Sequence, residues 1–347
     1  MTIADLFGIE LPIIQAPMAG VQGSALAAAV SSAGGLGSLP AAMLDADALR
    51  AEVEEIRGRT DRPFNVNFFC HADPSFDAQR DAAWRRTLAP YYEELGVAPD
   101  AVTAGPARAP FHAGHAAALE ALRPAVVSFH FGLPDDALLD RVRETGAKIL
   151  SSATTIDEAR WLEARGVDAI IAQGVEAGGH RGMFLTSDVT TQTGTFALLP
   201  QIVDAVRVPV IAAGGIADSR GVTAAFDLGA AGVQIGTAYL LCPEATTNAV
   251  HRAALQSESA RHTALTNVIT GRPARAIVNR IIRELGPLRD GVPEFPLATP
   301  AVLPLRAAAE TRGSSDFSPL WAGQNASHCR AIPAAELTRQ LASGVLR

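Results

Sequence analysis

Short apolar or β-branched runs alternate with amphipathic segments from the N-terminus to about residue 256. The amphipathic segments often begin at Asp, Ser or Thr and end at Gly, which are the residues that cap helices. Strands that alternate with helices form crossover connections and a parallel sheet. The sequence therefore predicts eight strand–helix units, with strands at 12–18, 36–41, 64–69, 125–132, 148–154, 168–174, 209–215 and 231–237.

Eight units within about 245 residues match the size of a (β/α)8 barrel. The alternative is an open doubly wound sheet, but its usual G-x-G-x-x-G motif is absent, because the first strand leads into "APMAGVQGS". We therefore predict an α/β fold, a TIM barrel with an insertion after the third strand and a C-terminal extension. The predicted barrel covers residues 1–256, including a helical insertion at about 71–123, and the extension packed on it covers residues 257–347.

Charge and cysteine content limit the possible partners. The formal net charge is −7, and no cluster of basic residues stands out, which argues against nucleic acid or an anionic membrane surface as a partner. No apolar run approaches the ~20 residues that span a bilayer, and no signal peptide is recognisable. Cys70, Cys242 and Cys329 match no metal-ligand spacing. We expect a soluble, cytoplasmic protein.

Polar side chains and glycines follow several of the predicted strands. In a barrel the active site lies at the C-terminal ends of the strands, and phosphate groups commonly bind after the seventh and eighth. Those two strands end in "AAGGIAD" and "QIGTAY", whose glycines allow backbone N–H groups to approach a phosphate. Asn67 and Gln173 end the third and sixth strands and can hydrogen-bond the edge of a ring. The residues alone predict a phosphorylated heteroaromatic cofactor.

The segment "AQGVEAGGHRG" at 172–182 holds four glycines within nine residues, around His180. Glycine costs conformational entropy on folding, so a backbone usually contains it for a close approach or an unusual conformation. We predict that this loop lies over a large, flat ligand.

Four blocks are especially distinctive: "PIIQAPMAGVQGSALAAAVSSAGGLGSL" at 12–39, "FNVNFF" at 64–69, "VVSFHFGLP" at 126–134 and "IIAQGVEAGGHRGMF" at 170–184. In these blocks the sequence resembles the nitronate monooxygenase family, formerly called 2-nitropropane dioxygenases, and in particular its class I branch. The phosphate loops and "LWAGQ" at 320–324 extend the resemblance over nearly the whole chain.

The resemblance implies FMN as the cofactor and no metal. It implies that His180 is the catalytic base or the partner of the nitronate, and that His130 and Met18 line the substrate pocket. The glycines of 174–182 would then let the chain wrap the flavin, and an imidazole with an ordinary pKa of about 6.5 would accept a proton. The residues that it implies for FMN binding are Met18, Gly20, Asn67, Gln173, Gly178, Gly179, Gly214, Gly215, Gln234, Gly236 and Thr237.

The implied reaction is the oxidation of a small alkyl nitronate, with propionate 3-nitronate expected, by O2 to an aldehyde plus nitrite or nitrate through a flavosemiquinone. The partners are then the nitronate and O2, while the oligomeric state, the physiological nitronate and the use of neutral nitroalkanes stay open.

The alternative function is an NAD(P)H-dependent FMN reductase acting on quinones or enoyl thioesters, because sister families share the barrel and the "GGH" loop. A flavin-free Schiff-base enzyme would need a lysine at the C-terminal rim. The single lysine, Lys148, begins the fifth strand at the opposite end.

Three features carry weaker signals. His112 and His115 are spaced three residues apart and could form half of a metal site, but a helix start or a surface position is favoured. Cys70 follows the third strand, where a small buried residue is favoured over a reactive thiol. The Ala-rich stretch at 104–118 has no predicted role.

Overall fold

The computed structural model describes residues 2–98 and 108–345. Eight of its strands form one parallel sheet in the order β1-β9-β8-β6-β5-β4-β3-β2, and three form a small antiparallel sheet in the order β10-β11-β7. In chain order the strands are β1 (Ile13–Gln15), β2 (Gly37–Pro40), β3 (Phe64–Phe69), β4 (Val126–His130), β5 (Lys148–Ala153), β6 (Ala169–Gln173), β7 (Gly179–His180), β8 (Val210–Ala213), β9 (Gly232–Ile235), β10 (Thr263–Thr266) and β11 (Ala274–Ile277).

The eight-stranded sheet closes on itself between its first and last strands. Ile14 of β1 forms a parallel bridge with Leu36, the residue before β2. The N–H of Gln15 donates to the carbonyl of Leu36, and the N–H of Leu36 donates to the carbonyl of Ile13, both at 2.9 Å. The predicted (β/α)8 barrel is therefore confirmed, and each predicted strand overlaps an observed one.

The helices surround the barrel and begin where the capping residues predict. Asp45, Asp135 and Asp218 precede helices, and the side chain of each accepts a hydrogen bond from a backbone N–H of the first turn. No helix within the described ranges is both long and apolar enough to cross a bilayer. In chain order the helices are α1 (Ile3–Phe7), α2 (Ser24–Ser32), α3 (Ala46–Arg59), α4 (Ala78–Leu95), α5 (Ala113–Leu122), α6 (Asp136–Glu144), α7 (Ile156–Ala164), α8 (Thr195–Ala205), α9 (Ser219–Asp227), α10 (Ala249–Leu255), α11 (Arg280–Leu285), α12 (Thr299–Thr311) and α13 (Ala334–Ala342).

The barrel interior is filled with apolar side chains and is closed at one end. Ile14, Leu150 and Ile211 are buried there together with Ile3 of α1. Ile3 also lies against the start of β9, since a Cβ built on Gly232 would be 3.4 Å from its side chain. Because α1 covers the N-terminal ends of the strands, the C-terminal ends remain for a site.

The segment after residue 256 contributes to the barrel wall. Helix α13 packs against both α2 and α9, which follow the first and seventh barrel strands, so α13 occupies the place of the eighth outer helix. Helix α12 packs against α4 of the insertion, and the Tyr92 hydroxyl donates to the carbonyl of Ala301 at 2.5 Å.

The division of the chain at residue 256 stays a prediction. The predicted insertion contains α4 and α5, while residues 99–107, including part of the Ala-rich stretch, lie outside the described residues.

Candidate active site

A cavity opens at the C-terminal ends of the barrel strands. Its wall contains residues from the ends of β1, β3, β4, β6, β8 and β9, and residues 321, 323 and 325 from the C-terminal segment. Nearly all the residues predicted for the site share this cavity: Met18, Asn67, His130, Gln173, Gly178, Gly179, His180, Gly214, Gly215, Gln234, Gly236 and Thr237.

Gly20 is the one predicted site residue that does not line the cavity. Its φ of 83° lies in the left-handed region, and a Cβ built on it would meet nothing within 4 Å. The backbone conformation of the turn therefore accounts for this glycine without a ligand.

The glycines of the 174–182 loop serve mainly to pack protein against protein. A Cβ on Gly174 would lie 1.9 Å from the Thr195 hydroxyl, and one on Gly178 would lie 2.6 Å from the backbone of Ala322 and Gly323. One on Gly182 would lie 2.9 Å from the His130 ring. Only Gly179, with a φ of 72°, has open space around its Cβ position. The interpretation that all four glycines make room for a flavin is corrected: three of them make room for neighbouring residues.

Gln173 and Arg181 hold this loop in place. Gln173 Nε2 donates to the carbonyl of His180 at 3.1 Å, and its Oε1 accepts from the N–H of Gly182 at 2.8 Å. The fully buried guanidinium of Arg181 donates to the carbonyls of Gln173 and Gly174. The sequence predicted a ring contact for Gln173, whereas its amide also fixes the backbone around His180.

The hydrogen bonds of His130 fix its protonation. Its Nε2 lies 3.1 Å from the carbonyl oxygen of His180, which can only accept, so Nε2 carries the proton. Its Nδ1 lies 3.1 Å from the Ser152 hydroxyl and accepts from it. Burial lowers the pKa of His130 to about 3, so the ring is neutral. Both nitrogens are engaged, and neither is free to accept a substrate proton.

His180 differs, because one of its nitrogens faces the cavity without a partner. Its Nε2 lies 2.9 Å from the Thr270 hydroxyl, while Nδ1 makes no hydrogen bond within the described residues and is not buried in protein. Burial, followed by the positive charge of Arg108, lowers its pKa well below 6.5. The expected ordinary pKa is thus corrected, and at neutral pH His180 is an unprotonated imidazole that can act as a base.

The electrostatic potential of the cavity favours an anion. No acidic residue is among the described residues of its wall, whereas Arg108 is. Burial and the neighbouring Arg306 lower the pKa of the Arg108 guanidinium, whose described hydrogen-bond partner is the Thr299 hydroxyl at 3.4 Å. Arg272 stacks over the Phe131 ring, 3.9 Å from its centroid. Glu158 is close enough to act on the charge of Arg272, whereas Arg108 has no acidic partner among the described residues of the cavity wall, so an anionic ligand is favoured beside Arg108.

The ends of β8 and β9 fit a phosphorylated cofactor such as FMN. Gly215 has a φ of 72° and lines the cavity next to Gly236 and Thr237, so backbone groups are accessible there. Two other atoms in the cavity wall, Gln234 Oε1 and His251 Nε2, are buried and have no hydrogen-bond partner among the residues that the structure describes. Orphaned buried polar atoms of this kind are expected to meet a ligand.

The weaker candidates have structural roles. His112 caps α5, its Nδ1 accepting from the N–H of Gly114 at 3.0 Å, and His115 is buried beside it. Burial raises the pKa of the Cys70 thiol well above its usual value, which disfavours a reactive thiolate. Lys148 pairs with Asp168 at 3.2 Å, at the start of β5 and away from the cavity. Within the described residues, no group of three or more His, Cys, Asp or Glu is placed to hold a metal ion.

Sequence reasoning missed several residues that shape the site. Ser152 orients His130, Thr270 contacts His180, and Trp321 lies beside the His180 ring with a centroid distance of 5.3 Å. Arg108 brings positive charge. Two of the four come from the segment after residue 256 and one from the insertion, where no periodic pattern points to the barrel rim. The motif "LWAGQ", which contains Trp321, is the one sequence signal that connects the C-terminal segment with the site.

Comparison with known proteins gives consistent matches over the full chain. The family model described as nitronate monooxygenase matches residues 1–344. A nitronate monooxygenase of Pseudomonas aeruginosa is 45% identical over 345 residues, covering 97% of this chain and 96% of that protein.

Two solved structures show the same fold. A nitroalkane oxidase from Streptomyces ansochromogenes superposes with a TM-score of 0.89 at 40% identity, covering 99% of this chain and 98% of that one. FabK from Thermotoga maritima superposes with a TM-score of 0.73 at 29% identity, covering 99% and 96%.

Proposed function

This chain belongs to the nitronate monooxygenase family, and from that premise we propose that it uses FMN and O2 to oxidise alkyl nitronates to an aldehyde plus nitrite or nitrate. The protein is an oxidoreductase that acts on a small molecule. The finer proposal rests on a neutral His180 whose free nitrogen faces a cavity that is lined by Arg108 and, among the described residues, by no acid.

The residues of the chain supply binding and proton transfer. The potential of the cavity attracts the negatively charged nitronate. When the neutral nitroalkane enters instead, Nδ1 of His180 accepts its α-proton, the C–H bond breaks, and the electron pair moves onto the nitro group to give the nitronate. When bound, FMN would supply the redox chemistry that links the nitronate to O2. Residues at the ends of β8 and β9 would hold its phosphate, and Asn67 would contact its ring.

Arg108 supports a substrate with a second negative charge. Its guanidinium lines the same cavity as His180, and the positive charge of Arg108 is close enough to lower the pKa of His180. A carboxylate at the far end of the substrate would pair with it and so neutralise a partly buried cation. Propionate 3-nitronate has this arrangement of two anionic groups, which makes it the proposed substrate.

We expect Arg108→Leu to raise the KM for propionate 3-nitronate about tenfold and to leave that for propyl-1-nitronate within about twofold. The two substrates have the same carbon chain and differ in the carboxylate, so steady-state kinetics on both isolate the charge contact. Arg50→Leu on the exposed surface of α3 serves as the control. Equal effects on the two substrates would show that Arg108 does not recognise the carboxylate of the substrate.

The function as a whole is tested by flavin content and substrate preference. We expect the purified protein to be yellow and to release FMN on heat denaturation, because one phosphate site ends β8 and β9. Anaerobic mixing with propionate 3-nitronate should reduce the flavin much faster than NADH or NADPH does. Release of FAD would contradict the cofactor, and rapid reduction by a pyridine nucleotide without oxygen uptake on nitronate would favour the reductase.

A further inference from the structure

We propose that Thr270 is a positioning residue that keeps the proton of neutral His180 on Nε2, so that Nδ1 is the atom that accepts the substrate proton. Thr270 follows β10, is 1% exposed, and its hydroxyl lies 2.9 Å from His180 Nε2. The proposal deepens the proposed function and rests on it, since it concerns the base of that reaction.

The hydroxyl of Thr270 has one proton and two neighbours that could receive it. One is His180 Nε2, and the other is the carbonyl oxygen of Arg272 at 3.4 Å. If the proton went to Nε2, the neutral ring would carry its own proton on Nδ1, and no lone pair would face the cavity. If it goes to the carbonyl of Arg272, Oγ1 accepts from Nε2–H, and Nδ1 is free.

The state after proton transfer, in which His180 is an imidazolium, favours one of these two directions of the Thr270 hydroxyl proton. Once Nδ1 has taken the substrate proton, both ring nitrogens carry protons, and Nε2–H needs an acceptor. Thr270 Oγ1 is the acceptor that the described residues provide. With the hydroxyl proton already directed to the carbonyl of Arg272, proton uptake requires no rearrangement.

The surroundings of His180 make this acceptor important. The ring is packed among Phe295, Phe131 and Trp321, with centroid distances of 5.1 to 6.1 Å. The charged groups that face it are Arg108 and Arg272, which oppose a positive charge on His180, and the titratable groups are His130 and His71, which are neutral at pH 7. Among the described groups, the Thr270 oxygen is the side-chain contact that favours the imidazolium.

The backbone of His180 is held in place by hydrogen bonds to its carbonyl oxygen. That oxygen accepts from Gln173 Nε2 and from His130 Nε2, each at 3.1 Å. The backbone of β7 is also paired with β11, where His180 lies opposite Ala274. Because the backbone is fixed by these contacts, removal of the Thr270 hydroxyl changes the ring proton and leaves the loop in place.

The test compares Thr270→Val with Thr270→Ser. We expect Thr270→Val to lower kcat/KM for a neutral nitroalkane about tenfold and to leave turnover of the corresponding nitronate within about twofold. Thr270→Ser, which keeps the hydroxyl, should restore the parent rate. Thr266→Val is the matched control, because Thr266 is equally buried but its hydroxyl accepts from the N–H of Val268.

Nitrogen-15 NMR of the histidine rings provides a readout that does not depend on activity or on the folding of the Thr270 variants. In the parent holoenzyme at pH 7, we expect His180 to be protonated at Nε2 and unprotonated at Nδ1, with the peak assigned by its absence in His180→Asn. A parent ring protonated at Nδ1 would overturn the proposal, as would equal losses on both substrates in Thr270→Val or no recovery in Thr270→Ser. If the parent oxidises no nitronate, the proposed function fails, while the ring spectrum still decides the position of the proton.

Discussion

Replacing His180 with Asn is expected to lower turnover of a neutral nitroalkane by about 100- to 10,000-fold, the usual contribution of a positioned base. Turnover of the nitronate should stay within a few-fold of the parent, since that substrate has already lost its α-proton. Oxygen uptake with a matched nitroalkane and nitronate, on enzyme with measured FMN content, gives both rates.

His130→Gln is the control for this experiment. A glutamine Nε2–H can still donate to the carbonyl of His180, as the His130 ring does at 3.1 Å. Because both nitrogens of His130 are engaged, we expect a loss of less than about tenfold on either substrate. If His180→Asn binds FMN and oxidises both substrates at the parent rate, the assignment of His180 as the base is wrong.

The pH dependence distinguishes the structure from the simpler expectation of an ordinary histidine. Neutral imidazole is the active base and is present above the pKa of His180. Burial and nearby Arg108 hold that pKa well below 6.5, so nitroalkane kcat/KM should remain level from pH 8 down through 6.5 and fall only in more acidic buffer. A midpoint near pH 6.5 would mean that the imidazole is more solvated than the structure shows.

Gly178→Ala is expected to destabilise the protein by about 3 kcal/mol and to weaken retention of FMN. The added Cβ would lie 2.6 Å from the backbone of Ala322 and Gly323. The C-terminal segment would have to move, although the N–H of Gly323 donates to the Thr237 hydroxyl at 3.0 Å and residue 323 lines the cavity. Urea unfolding and FMN titration measure the two effects.

Gly179→Ala is the matched control one residue away. A Cβ on Gly179 would meet nothing within 4 Å, so the cost is the left-handed φ of 72°, about 1–2 kcal/mol. We expect FMN retention in this variant to be near that of the parent. Similar stability and FMN content in the two variants would contradict the view that Gly178 is required by the C-terminal segment. A selective loss of FMN in Gly179→Ala would indicate that the flavin packs against this residue.

The alternation of strands and helices was sufficient to predict the barrel, because strand and helix periodicity are local properties of the chain. The same pattern located the site, since the C-terminal ends of parallel strands meet at one rim. This rule groups Asn67, Gln173 and His180 at one site, and the glycine-rich loop distinguishes His180 from the other two.

The tertiary structure decided what the sequence could not, because the missing information lies in contacts between distant segments. Thr270 and Trp321 reach His180 from 90 and 141 positions along the chain, and no local pattern predicts such encounters. Burial among these neighbours, and not the imidazole itself, sets the low pKa of His180. The role of Gly178 likewise follows from the backbone that passes beside it, since a glycine in the sequence does not reveal which atoms it must approach.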